Sequence, residues 1–158
     1  MLDQLLSLHR VPLFRDLTLD QLQALSPLLQ HREYLAGEQV VEEGAEGHEL
    51  FVVLAGRVRV LRGSGSQRVA LTELGPQDYF GEMALLAERP RAATVIAATD
   101  CLLGVLAKEQ FLAALAEHPE LSLTVIQVLS DRLVEANDRL VAGQGEDPPG
   151  RPATSTPG

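Results

Sequence analysis

Leu2, Leu5 and Leu6 recur at helical spacing and stop before Val11 and Pro12, where proline pushes its predecessor out of the helical region. The chain therefore opens with a short helix. Thr18 to Gln21 has the spacing of a capping box, and Leu22, Leu25, Leu28 and Leu29 behind it form one apolar face, which predicts a second helix. Both helices are expected to pad a sheet. From about Tyr34 to Leu106 the period changes. Val58 and Val60 alternate with Arg57 and Arg59, while Leu50 to Leu54 and Thr94 to Ala98 are β-rich runs. Glycines at 37, 44, 47, 56, 63, 65 and 75 punctuate this region, the pattern of many short antiparallel strands closing into a barrel or jelly roll. Gly63 to Ser66 reads as a hairpin loop.

One stretch interrupts the strands. Phe80 to Leu86 is rich in Glu, Met, Ala and Leu and favours a short helix. After the strands, Lys108 to Glu117 reads as a short helix, and Pro119 opens a longer one to about Val141. Residues 143–158 are rich in Gly, Pro, Ser and Thr with nothing to bury, so a disordered tail is expected after a single domain at 1–142. The fold class that follows is mainly β with flanking helices: an antiparallel jelly-roll barrel with N-terminal helices, one short internal helix and C-terminal helices.

Composition changes this picture little, because 46% hydrophobic and 22% charged residues are ordinary for a globular domain. Charge narrows the partners. A formal net charge of -9 repels a polyanion, and no dense run of Lys and Arg offsets it, which argues against nucleic acid as a direct partner. The single Cys101 excludes an internal disulfide framework and sits in a strand-like apolar run, as in a reducing compartment. No basic leader precedes an apolar run at the N-terminus, and no stretch approaches the roughly twenty apolar residues that span a bilayer. The expected setting is cytoplasmic, without membrane insertion.

The chemistry concentrates in FGEMALLAERPRAATVIA, Phe80 to Ala97. Gly81 lets backbone approach a ligand, and free N–H groups at Met83 and Ala84, at the start of a one-turn helix, suit an anion. Arg91 adds a planar fork of donors that can pair two phosphate oxygens at once. Glu82 is out of place beside an anion unless its carboxylate accepts from a hydroxyl of the same ligand. A sugar phosphate meets both demands. Ala92 and Ala93 carry almost no side chain, so backbone can approach there too.

This segment resembles, nearly residue for residue, the phosphate-binding cassette of the cyclic-nucleotide-binding domain family, which includes cAMP-dependent kinase regulatory subunits, the bacterial catabolite activator and cyclic-nucleotide-gated channels. Pro12-Leu13-Phe14, Gly44 and Gly47, and Leu50 to Val60 with Gly56 extend the resemblance, which covers about Leu5 to Leu140. It implies that Arg91 and the amides of Ala84 and Ala92 bind a cyclic phosphate, that Glu82 and Gly81 hold the ribose 2'-hydroxyl, and that Val60 and Leu71 flank the base. Members that prefer cGMP tend to have Thr after the arginine. Ala92 stands here, which implies cAMP as the regulatory ligand.

Plainer accounts stand beside these. Glu82 and Arg91 could form a mutual ion pair that closes a loop. In the last helix Ile126, Leu129, Leu133, Ala136 and Leu140 alternate spacings of three and four, which fits a homodimer seam or a stripe packed back on the barrel. Asn137, by its place in this helix, is a candidate to reach the adenine edge, against the plainer reading of an exposed polar residue. His9, His31, His48 and His118 are scattered and form no HxH or HExxH pair, so no metal site is expected. Without a GxSxG elbow or full P-loop, the chain reads as a non-enzymatic cAMP sensor that signals through its C-terminal helices to an attached effector or partner. The alternatives are a cGMP-preferring sensor, a protein-binding scaffold of the same fold, and a jelly-roll metalloenzyme. Activator relatives continue into a helix-turn-helix where this chain has a Gly and Pro tail, so a transcription factor in itself is not expected.

Overall fold

The computed structural model describes residues 2–146; of the tail expected to be disordered at 143–158, residues 143–146 instead belong to the last helix and 147–158 lie outside the described residues. Helix α1 spans Leu2–Arg10, Pro12–Phe14 form a 3-10 turn, and α2 spans Leu19–Leu25. The capping box of α2 is complete: the Gln21 amide donates to Thr18 Oγ1 at 3.2 Å, and the Thr18 amide donates to Gln21 Oε1 at 3.0 Å. The helix is shorter than the leucine spacing predicts. Pro27 cannot continue the α-helical ladder, so Ser26–Leu28 tighten into a 3-10 turn that Leu29 caps.

Ten strands follow: β1 Gln30–Tyr34, β2 Gln39–Val41, β3 Glu46–Gly47, β4 Glu49–Ala55, β5 Val58–Arg62, β6 Val69–Leu74, β7 Tyr79–Phe80, β8 Arg89–Pro90, β9 Thr94–Ala97 and β10 Cys101–Ala107. They form two four-stranded antiparallel sheets, β1-β10-β4-β7 and β2-β9-β5-β6, with a two-stranded ladder β3-β8 between loops. This is a jelly-roll-like arrangement, but among the described residues no ladder joins the two large sheets, so the expected closed barrel is two open sheets instead. The edges left unpaired with one another are β1 and β7 in one sheet and β2 and β6 in the other.

Strand β4 shows how the layers stack. Phe51 and Val53 point into the inter-sheet core with Val58, Val95, Leu103 and Val105, while Leu50 and Val52 point into a helical core with Phe14, Leu25, Leu106 and Phe111. Covered on both faces, the strand reads as one continuous apolar run rather than an alternation. Helices α3, Lys108–Glu117, and α4, Pro119–Glu146, complete the second core through Phe111, Leu121 and Val125. Helix α4 continues past Val141 and through Gly143, since a glycine costs a helix only about 1 kcal/mol and does not forbid it.

Candidate functional site

The predicted short helix is a 3-10 turn, Glu82–Leu85, and Phe80 belongs to β7, where it pairs with Phe51. Gly81 precedes the turn at φ 83°, a left-handed conformation that a side chain would strain. Ala84 and Leu85 are buried and fix the turn to the body. The Ala84 amide is not free as read from sequence: a 3-10 turn bonds each residue to the third before it, and this N–H donates to the Gly81 carbonyl at 3.1 Å. The amides of Met83, Ala92 and Ala93 make no hydrogen bond among the described residues.

Arg91 is fixed from several sides. Its backbone N–H donates to Ala45 O at 2.7 Å and its carbonyl accepts from Gly44 N–H at 2.8 Å. The guanidinium donates through Nη2 to Glu49 O at 3.1 Å and lies 5.5 Å from the centre of the Phe51 ring, which stacks on Phe80. It runs between two glycines: a Cβ on Gly47 would lie 2.6 Å from Nε, and one on Gly81 would lie 2.5 Å from Nη1 and 2.7 Å from Glu49 O. Gly47, read as strand punctuation, and Gly81, read as a place for backbone to approach a ligand, are therefore the walls of an arginine slot. Burial lowers the pKa of Arg91, partly opposed by Glu49, yet a guanidinium stays charged in a protein. The slot holds a half-buried cation with donors left over.

Glu82 does not pair with Arg91. Its carboxylate accepts from Leu13 N–H at 2.7 Å and from Arg132 Nη2 at 3.0 and 3.2 Å, with only 12% of the Glu82 side chain and 28% of that of Arg132 exposed. One carboxylate thus ties the N-terminal 3-10 turn, the Gly81–Glu82 segment and α4 together. Arg132 was not singled out in the sequence, though a signal exists: Leu121, Val125, Val128 and Arg132 follow at spacings of four, three and four, so the arginine stands at an inward position of α4 and needs a partner.

Val60, Gly81, Glu82, Met83, Ala84, Arg91, Ala92 and Ala93 all line one cavity of about 440 Å³, with Phe80 and Arg89 beside them. Arg62 Nε donates to Ala92 O at 3.3 Å and steadies that rim, and buried Thr94 accepts the Glu43 amide at 3.0 Å. Leu71 is not among the lining residues. It lies 52% exposed where the β5–β6 register slips, so the bulge, not the strand period, sets its direction. Asn137 is also exposed and outside the cavity. A larger cleft of about 710 Å³ shares Arg91 and is lined by Glu42, Glu46, Glu49, Glu88 and Glu109 against His48 and Lys108, so its charge opposes an anion; the smaller cavity sets Arg89 and Arg91 against one carboxylate, Glu82. No group of three His, Cys, Asp or Glu that could hold a metal occurs among the described residues, and no helix there is long and apolar enough to cross a membrane.

The sequence profile of the cyclic nucleotide-binding domain matches residues 31–118. The chain is 35% identical over 127 residues to the cyclic AMP receptor protein of Thermus thermophilus, covering 80% of this chain and 59% of that protein, so it spans about three-fifths of that relative's length. Among solved structures it resembles the N-terminal domain of a transcriptional regulator from Streptomyces coelicolor, with a TM-score of 0.77 and 30% identity over 85% of this chain and 94% of the other. It also resembles the regulatory domain of Toxoplasma gondii PKA crystallised with cAMP, with a TM-score of 0.64 and 31% identity over 71% and 43% of the two chains. Profile, relatives and the cassette around Arg91 agree: the chain belongs to the cyclic nucleotide-binding domain family.

Proposed function

We propose that this domain is a cAMP sensor, with the cyclic phosphate on Arg91 and on the free amides of Met83 and Ala92. The observation that carries the reading is the arginine slot: a half-buried guanidinium held by Gly47, Gly81, Glu49 and Phe51 at the wall of a nucleotide-sized cavity. A cyclic phosphate carries one negative charge, which one guanidinium matches. The cAMP held by the Toxoplasma relative supports the same ligand class here. Ala92 has no hydroxyl to meet a guanine amino group, which favours cAMP over cGMP. Val60 on the cavity wall flanks the base, and Leu71 reaches it only if the β5–β6 hairpin moves inward.

Glu82 transmits the signal. Each carboxylate oxygen has two acceptor sites, so a ribose 2'-hydroxyl either joins Leu13 and Arg132 on Glu82 or displaces Arg132. Either way occupancy alters the tie to α4, and the ligand biases α4 by its differential affinity for the two arrangements. The domain acts through α4 on an attached effector or a separate partner and carries out no chemistry itself. A reducing, cytoplasmic setting belongs to the same proposal and is supported by the buried thiol of Cys101.

The exposed apolar face of α4 supports self-association as part of this function. Ile126 and Leu133 are 59% and 73% exposed, and hiding such side chains stabilises by about 1–2 kcal/mol each. Leu129, assigned to the seam from sequence, instead packs against the helical core. Calorimetric titration of the purified protein with cAMP and with cGMP tests the central reading. Binding with cAMP preferred is expected; no heat with either nucleotide removes the sensor and leaves the protein-binding scaffold.

A further inference from the structure

Arg32 on β1 and Glu49 on β4 stand on opposite sides of β10, where their backbones pair with Leu103 and Ala107. The Arg32 fork donates across that strand to the Glu49 carboxylate, through Nη2 to Oε2 at 2.6 Å and through Nη1 to Oε1 at 3.5 Å, with 38% of the Arg32 side chain and 27% of that of Glu49 exposed. The same Glu49 bears on Arg91 through its backbone, since its carbonyl accepts from Arg91 Nη2 at 3.1 Å. One residue therefore carries two acceptors: a carbonyl that holds Arg91 and a carboxylate engaged by a different arginine.

We propose that Arg32 is a positioning residue for Arg91: it occupies the Glu49 carboxylate and so keeps that acid off the guanidinium that faces the nucleotide cavity. The inference rests on the phosphate role of Arg91 proposed above and adds what keeps that arginine open to an anion. Glu49 and Arg91 line the same cleft, and the charge of Glu49 partly offsets the burial penalty on the Arg91 guanidinium, so the two groups already feel one another. The other cations of that cleft, His48 and Lys108, both face Glu88, at 3.9 and 3.7 Å. A Glu49 carboxylate released by Arg32 is left with Arg91, the cation of the cleft that no carboxylate holds among the described residues.

Such a competitor need not bind strongly. A guanidinium pairs a carboxylate through the same planar fork that it offers a phosphate, so the two anions exclude one another on Arg91. The carboxylate is tethered to the residue that already touches Arg91, whereas a free nucleotide loses translational and rotational freedom when it binds, which favours the tethered group. Arg32 removes this competition by giving the carboxylate an equivalent fork on the far side of β10.

Calorimetric titration of the full chain with cAMP tests this on three proteins: wild type, Arg32→Met, and Arg32→Met combined with Glu49→Gln. Methionine keeps an unbranched apolar stem without the fork, and glutamine keeps the backbone carbonyl that holds Arg91 while removing the competing charge. Both variants lose the tie across β10, and cAMP affinity should separate them: a several-fold loss in Arg32→Met, most of which the double variant recovers. A wild type that gives no heat with cAMP overturns the phosphate role of Arg91 and this inference together. With wild-type binding intact, an Arg32→Met variant that binds as tightly as wild type overturns the inference alone. So does a double variant as weak as Arg32→Met, because a merely structural tie between β1 and β4 gives no recovery.

Discussion

Arg91 and Glu82 stand nine residues apart in one segment and are held by different parts of the molecule. Arg91 belongs to the sheets: the β3–β8 ladder, the Glu49 carbonyl and the Phe51 ring fix it, and two glycines keep its slot open. Glu82 belongs to the helices, through Leu13 in the N-terminal turn and Arg132 in α4. The difference separates two tasks. On the function proposed above, a group embedded in a packed sheet would offer a fixed charge without reorganising, whereas a group shared between separate elements would report binding by shifting one against another.

The largest effect expected from breaking this contrast is on the Arg91 side. Arg91→Ala should weaken cAMP binding by about 2–5 kcal/mol, as for removal of one partner of a buried charge pair, with little change in thermal stability. Calorimetry and a melting curve together check it; equal affinity in the variant removes the phosphate role. On the Glu82 side the order should reverse. Arg132→Ala leaves a mostly buried carboxylate with one partner fewer and should cost about 1–3 kcal/mol of stability, below the 3–5 kcal/mol of a fully buried pair. Hydrogen exchange should show α4 opening more readily, while cAMP affinity changes less than in Arg91→Ala. An α4 that exchanges like wild type contradicts the tie.

Gly81→Ala probes the junction of the two regions. At φ 83° an alanine is strained by about 1–2 kcal/mol, and its Cβ would meet the Glu49 carbonyl and the Arg91 guanidinium at once. Denaturant melts should show that loss, and cAMP affinity should fall with it, since Arg91 must shift. Stability lost with affinity intact would mean that the slot does not position the arginine. The smallest effect is expected at Ala92→Thr, where one added hydroxyl can supply a hydrogen bond of about 1 kcal/mol to a guanine amino group. The ratio of cAMP to cGMP affinities should move toward cGMP by several-fold, and an unchanged ratio counts against Ala92 as the selecting position.

Much was legible beforehand because local patterns report local structure. The capping box at Thr18, the limits of α3 and the hairpin near Gly63 each depend on a few neighbouring residues, and each appears where the pattern places it. The cassette was legible too, since Gly81, Glu82, Arg91, Ala92 and Ala93 lie in one stretch of chain and one cavity wall. Leu71 and Asn137 were harder. A bulge and a helix rotation decide where those side chains point, and neither leaves a periodic trace in sequence.

The amino-acid sequence by itself determined the order of helices and strands, the cassette and the family, because hydrophobic period, caps and a contiguous motif act over short distances along the chain. Only the tertiary structure decided that the sheets stay open, that Gly47 and Gly81 are two walls of one arginine slot, and that Glu82 answers to Leu13 and Arg132 rather than to Arg91. Those partners lie 69 and 50 residues away in sequence. What brings them within 3 Å is the packing of α1, α4 and the sheets around the helical core, a sum of many weak contacts that no single stretch encodes.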